Sequence, residues 1–257
     1  MKIQTAVILA AGMGTRLKEL GKSRPKGFLK LGKRPIIEES IARLRNCGIQ
    51  HIIIVTGHCF EFYEDLKQQY PEIVTVHNTQ YATSGSMYSL WCARELLNND
   101  FLLLESDLIF EKRAIESVLA FGKENVVLLS GQTNAGDEVY VQANGDVIVA
   151  MSKKKDELGE LIVGELVGVS KISLTLFKQM LQYAGEKFTS TMKVDYETDA
   201  LVAVAQSYSV YYTVLTDLLW AEIDDSQHLQ RASQQIYPAI SHEVNFGVVS
   251  RVGSRTT

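Results

Sequence analysis

Residues 3–9, IQTAVIL, form a mainly aliphatic run that stops at glycine-rich sequence. A mainly apolar run of strand length, without regular polar alternation, suits a strand buried on both faces of a parallel sheet. Runs of the same kind recur at 51–55, 73–76, 101–104 and 126–129. Between them the apolar positions take a helical period, over 35–46 with Pro35 at the first position, then over 61–69, 86–97 and 111–121. Strand and helix alternating in this way build right-handed βαβ units, which predicts a three-layer α/β domain with its ligands at the carboxyl ends of the strands. After Gly131 the rhythm changes. Segments 138–142 and 147–151 flank the turn Asn144-Gly145-Asp146 and are followed by 161–170, which predicts antiparallel or mixed strands appended to the parallel sheet. Helical stretches at 174–183 and 198–205, strands at 209–215 and 220–223, and a helix from Ser226 to about Gln235 complete the pattern.

Composition narrows the classes of function. A chain of 257 residues with mixed composition buries one sizeable core by default. Its formal net charge of −4 gives no general attraction to nucleic acid or to an anionic membrane, so neither is an expected partner. An anionic ligand must then be held by locally placed cations. No segment approaches the ~20 apolar residues that span a bilayer, and the apolar start is too short for a signal sequence, so a cytoplasmic location is expected. The three cysteines, Cys47, Cys59 and Cys92, are odd in number and lack CxxC spacing, which reads as reduced thiols rather than a disulfide framework or a thiolate zinc site. The histidines show no metal-ligand spacing, and no hydrolase triad stands out.

The stretch LAAGMGTRLKELGKSRPK, residues 9–26, offers three phosphate-binding patterns. A triphosphate P-loop would need glycine at position 16, where Arg16 stands, although Gly21-Lys22-Ser23 imitates its end. A dinucleotide fingerprint fits Gly12 and Gly14 but meets Leu17 at its third glycine, and Val55-Thr56-Gly57-His58 supplies no acidic residue after the second strand. The third pattern uses the whole stretch. Ala10, Ala11, Gly12 and Gly14 let backbone N–H groups approach phosphates, Arg16 forks onto phosphate oxygens and Lys26 adds a point charge.

With PKGFLKLGKRPIIEESI following it, this stretch resembles the N-terminal signature of the nucleotidyltransferases, which join a nucleoside triphosphate to a phosphorylated small molecule. The resemblance implies a three-layer, Rossmann-like mixed sheet, predominantly parallel, of the GT-A-like kind. The resemblance runs from about residue 3 to about residue 235, so a single domain is expected over 1–237 with an acceptor-binding portion at about 131–224; residues 238–257, which show no clear periodicity, read as a linker or tail that leaves room for a further C-terminal domain. Arg16 would contact the β and γ phosphates and Lys26 the α phosphate. The nucleotide would lie against Leu9, Ala10, Ala11, Gly12, Gly14, Thr15, Thr83, Tyr88 and Ser89.

Carboxylates stand where a magnesium ion would be needed. Asp107 follows the strand at 101–104, and strand alternation in Trp220-Ala221-Glu222-Ile223-Asp224-Asp225 sets Trp220, Glu222 and Asp224 on one face. Mg²⁺ takes one or two carboxylates with phosphate and water, so Asp107 and Asp224 suffice as its ligands, as the resemblance also implies. Asp225 reads instead as the N-cap of the last helix. Segments 78–97 and 194–201 bring the resemblance nearest to the small cytidylyltransferases that activate phosphocholine or 2-aminoethylphosphonate. The expected substrates are therefore CTP and a small amino-phosphonate or amino-phosphate, held by Asp137, Glu138, Tyr140, Asp195, Tyr196, Glu197, Trp220 and Glu222. The abundance of carboxylates in that set favours a primary ammonium, hence 2-aminoethylphosphonate, over the quaternary ammonium of phosphocholine. Phosphoethanolamine, sugar 1-phosphates and a catalytically silent nucleotide-binding protein stay open. In the run Lys153-Lys154-Lys155, Lys153 or Lys154 would meet the phosphate under attack. CTP against UTP is left open, as is a homodimer.

Overall fold

A computed structural model describes residues 2–136 and 138–241. Its first half is the predicted alternation. Strand β1 (Thr5–Ala10) is followed by a short helix α1 (Glu19–Ser23), then by α2 (Ile36–Asn46), β2 (His51–Thr56), α3 (Glu61–Leu66), β3 (Ile73–His77), α4 (Ser86–Cys92) and β4 (Phe101–Glu105). The strands are apolar throughout because both faces are covered. Val7 and Leu9 of β1 pack with Met87 and Leu90 of α4, while Ala6, Ile8 and Ala10 pack with Ile37, Ile41 and Leu44 of α2. Each of these valine, leucine, isoleucine and methionine side chains contributes roughly 1.5–3 kcal/mol on full burial. β1 pairs in parallel with β2 and with β4, and the second register sets Leu9 opposite Glu105. The glycine-rich loop after β1 therefore starts beside the acidic end of β4.

The second half comprises β5 (Leu108–Phe110), α5 (Arg113–Ala120), β6 (Val126–Ser130), β7 (Tyr140–Asn144), β8 (Val147–Ser152), β9 (Ile162–Ile172), α6 (Leu174–Lys187), α7 (Val202–Ala205), β10 (Tyr211–Leu215), β11 (Trp220–Glu222) and α8 (Ser226–Arg231). A turn of π-type hydrogen bonding, Tyr196–Leu201, leads into α7. Among the described residues the main sheet has nine strands, in the order β3-β2-β1-β4-β9-β6-β10-β8-β7. Strand β9 pairs antiparallel with both β4 and β6, and β10 parallel with β6, so the sheet is mixed and mostly of one direction.

Two features differ from the sequence expectation. The segment expected as an appended strand, 161–170, became β9, which lies inside the sheet; its residues are buried from Glu165 to Ile172, as a central strand requires. The helix expected from residue 111 begins at Arg113, because Leu108–Phe110 first forms β5 and pairs antiparallel with β11, setting Glu222 opposite Leu108. That small ladder carries the late acidic segment to the end of β4. A third apolar cluster joins Leu17, Leu29 and Ile36 to Ile223, Ala232 and Ile240, so packing continues past residue 237. Residues 242–257 of the expected tail lie outside the described residues.

Candidate active site

β1 and β4 end side by side, and the chain after each turns over the carboxyl edge of the sheet. Gly14 takes φ 61, a left-handed conformation in which glycine meets no β-carbon clash, and starts the tight turn Thr15–Leu17 that points Arg16 back across the edge. Pro25 holds an extended conformation before the turn Lys26–Phe28 and directs Lys26 inward. The Lys26 ammonium reaches Asp107 Oδ2 at 2.7 Å and also bonds Asp224. Arg16 reaches the other oxygen of Asp224 at 2.7 Å. Burial alone would lower the Lys26 pKa, but the charges and hydrogen bonds of Asp107 and Asp224 raise it well above the usual lysine range. Asp107 and Asp224 thus favour the charged form of Lys26, and four groups from three distant parts of the sequence form one ion-pair chain.

Two clefts meet at this chain. One is lined by Leu9, Ala10, Ala11, Gly12, Lys26, Tyr81, Ser84, Ser86 and Ser89, together with Ser106 and Asp107. The other is lined by Arg16, Glu138, Lys153, Glu197, Trp220, Asp224 and Arg231. Glu105 and Glu222 belong to both and form the wall between them. Burial, then Glu197 and Asp107, push the Glu105 carboxyl up to about 8. Burial pushes Glu222 well above the carboxylate range, with Glu105 and Asp107 adding repulsion. Glu197 rises to about 7, by burial first and Asp195 second, against the pull of Lys153. The Tyr196 hydroxyl supports Glu105 from behind, donating to Oε1 at 3.0 Å.

Carboxylate oxygens of Glu105, Asp107 and Glu222 lie within 4.8 Å of one another. Three hard oxygen donors crowded together, Asp107 buried and Glu105 and Glu222 half-buried, fit a divalent cation such as Mg²⁺ better than a soft metal. The set differs from the expected pair. Asp107 belongs to it, but Asp224 is turned onto Arg16 and Lys26, while Glu222, expected beside the acceptor, and Glu105, not singled out from the sequence, complete it.

Other expected residues divide between cleft and scaffold. Leu9, Ala10, Ala11, Gly12 and Ser89 line the first cleft; Gly14 and Thr15 shape its loop from behind. Thr83 turns away onto the Gln80 carbonyl and is replaced by Ser84, and Tyr88 packs edge-on against Phe188, because the helical period of α4 turns Ser89 rather than Tyr88 inward. Arg16, expected at the β and γ phosphates, lies at the second cleft in this structure. There Glu138, Glu197, Trp220 and Glu222 are present as expected, but Tyr140 stacks under Lys155 and Asp195 faces Ser86, while Asp137 lies outside the described residues. Of the lysine run, Lys153 lines the cleft; Lys154 points to solvent and pairs with Glu157 at 2.9 Å. Asp225 caps α8 by accepting from the Gln227 and His228 amides. The sequence reading missed Ser84, Ser86, Ser106 and Arg231; Ser106 alone carried a signal, since it sits between two acids at a strand end.

Residues 6–186 match the family model of the MobA-like NTP transferase domain. The 2-aminoethylphosphonate cytidylyltransferase of Lancefieldella rimae is 30% identical over 193 residues, which cover 72% of this chain and 74% of that protein. The CMP-5'-(3-aminopropyl)phosphonate synthase of Streptomyces rubellomurinus is 28% identical over 245 residues, 91% of this chain but 39% of the relative, so this chain spans about two fifths of its length. The solved CTP:phosphocholine cytidylyltransferase from Streptococcus pneumoniae superposes with a TM-score of 0.71 at 23% identity, covering 91% of this chain and 99% of that one, a likeness of fold.

Proposed function

This chain belongs to the family of MobA-like NTP transferase domains, and with it to the nucleotidyltransferases; on that premise we propose that it joins CTP to 2-aminoethylphosphonate, giving CMP-2-aminoethylphosphonate and pyrophosphate. The observation that carries the acceptor is the composition of the second cleft. Beside the cations Arg16, Lys153 and Arg231, which suit a phosphonate, Glu138 and Glu197 line it apart from the acids of the ion-pair chain and the cation set, and Trp220 is the one aromatic side chain among its described lining residues. A primary ammonium donates three hydrogen bonds and is matched by carboxylates, whereas a quaternary ammonium donates none and is held by several aromatic faces. One ring does not make a cage. The names of the amino-phosphonate relatives support the same acceptor class.

The chemistry needs no general base. A phosphonate oxygen, ionised near neutral pH, attacks the α phosphorus in line while the bond to pyrophosphate breaks, so the protein's task is positioning and charge neutralisation. Lys26, on the first cleft, neutralises the α phosphate, and the neighbouring Asp107 and Asp224 favour its charged form. Arg16 and the loop amides at 10–14 hold the leaving pyrophosphate, which requires Arg16 to exchange Asp224 for phosphate. Lys153, beside Glu197, orients the phosphonate for attack. A divalent cation held by Glu105, Asp107 and Glu222 would supply further neutralisation of the triphosphate at the junction of the two clefts.

The test is a pyrophosphate-release matrix of CTP, UTP, ATP and GTP against 2-aminoethylphosphonate, phosphocholine, phosphoethanolamine and sugar 1-phosphates. The expected result is the highest kcat/KM for CTP with 2-aminoethylphosphonate. Preferred turnover of phosphocholine or a sugar phosphate contradicts the acceptor, and no release with any pair contradicts the activity.

A further inference from the structure

Gly21-Lys22-Ser23, the imitation of a P-loop, closes α1 on the loop that separates Arg16 from Lys26, and its end meets the chain leaving β2. His58 Nε2 lies 3.0 Å from the Gly21 carbonyl oxygen. Facing an acceptor at that distance, Nε2 carries its hydrogen and donates. The Cys59 thiol lies 3.2 Å from the same nitrogen and points at the Lys22 carbonyl at 3.9 Å. Two successive carbonyls at the end of α1, which have no partner within the helix, thus receive donors from two successive residues after β2.

The contact comes where the loop folds on itself. A β-carbon at Gly21 would stand 2.1 Å from the Gly14 carbonyl oxygen, so the two ends of the phosphate loop touch, and only glycine permits it. Cys59 adopts φ 54, a left-handed conformation that is unfavourable for a residue with a β-carbon and persists where its surroundings over-determine it. On its other side the His58 ring leans on Tyr81, at 6.3 Å between centroids, and Tyr81 lines the first cleft.

We propose that His58 is a positioning residue, a latch that holds the nucleotide-binding loop closed on α1 so that Arg16 and Lys26 converge before the triphosphate arrives. This rests on the reading that the loop binds a nucleoside triphosphate. A ligand that binds only the closed loop has its apparent Kd raised by the inverse of the closed fraction. Loss of the latch therefore weakens nucleotide binding, while the bound nucleotide itself closes the loop and leaves kcat nearly intact.

Two substitutions separate donation from shape. His58→Phe keeps a ring against Tyr81 but cannot donate; His58→Gln keeps an N–H donor. For each, the CTP Kd is measured by calorimetry without acceptor, KM and kcat by pyrophosphate release, and trypsin nicking at Lys18 and Lys22 on the ligand-free protein. His58→Phe is expected to raise the Kd and KM for CTP about 5–10-fold, the worth of one hydrogen bond, with kcat within about twofold and faster nicking at Lys22. His58→Gln should recover most of the affinity and protection. Unchanged affinity and nicking in His58→Phe, equal loss in both variants, or a fall in kcat at unchanged Kd overturns the latch. If the wild type binds no triphosphate, the nucleotide reading fails, and the nicking of the two variants still decides whether His58 fastens the loop.

Discussion

Lys26 holds two carboxylates together, so its removal acts on rate and stability at once. Lys26→Ala is expected to lower kcat by on the order of 10²–10³, the usual cost of losing one preorganised charge-stabilising donor. It also leaves Asp107 and Asp224 facing each other in a desolvated wall, so Tm should fall in chelator and recover in part with Mg²⁺; an unchanged kcat would remove Lys26 from the chemistry. A second contrast lies in the lysine run. Lys153→Ala should raise the KM for the acceptor severalfold, whereas Lys154→Ala, whose side chain pairs outward with Glu157, should leave kcat and KM unaltered; the reverse pattern would exchange their roles. Arg16, Lys26 and Asp107 were legible in the sequence because short-range spacing, glycine loop and strand end, marks them. Glu105 was not, since a glutamate at a strand end looks alike whether it faces water or a cleft. Which oxygen set gathers around a cation depends on the side-chain rotamers of segments more than a hundred residues apart.

At the scale of elements, long aliphatic runs and helical periods revealed β1 to β4 and the helices between them, where neighbours in sequence are neighbours in space. β5 escaped because three apolar residues carry no period, and its partner β11 lies far along the chain. The position of β9 inside the sheet escaped for a related reason: apolar character shows that a strand is buried, not which strands flank it. The loop around α1 depends on the contact of Gly14 with Gly21, so Gly21→Ala should weaken CTP binding by at least tenfold while the far-UV spectrum and the acceptor-side residues stay as they are, the clash being confined to the loop. Wild-type CTP affinity in Gly21→Ala would show that the loop closes otherwise.

For the whole molecule, the crowded acids make stability depend on pH in an unusual direction. Glu105 and Glu197 have native pKa values raised to about 8 and about 7 from an unfolded value of 4.5. Between the unfolded and native values the native state binds more protons than the unfolded one, so stability falls as pH rises through this window. In chelator, Tm should therefore be higher at pH 6 than at pH 8.5; Glu197→Gln should flatten the slope, and Mg²⁺ should raise Tm most at the alkaline end. A rising slope would mean that these carboxyls are ionised and solvated in the native state. On the proposed reading, the two clefts that share one acidic wall take one phosphorus-bearing substrate each. The most direct measurement is a phosphorus NMR spectrum of CTP, Mg²⁺, 2-aminoethylphosphonate and the protein followed with time. A coupled pair of phosphonate and phosphate signals growing with free pyrophosphate is expected. An unchanged 2-aminoethylphosphonate signal, under conditions where the same protein consumes phosphocholine or a sugar phosphate with CTP, would contradict it.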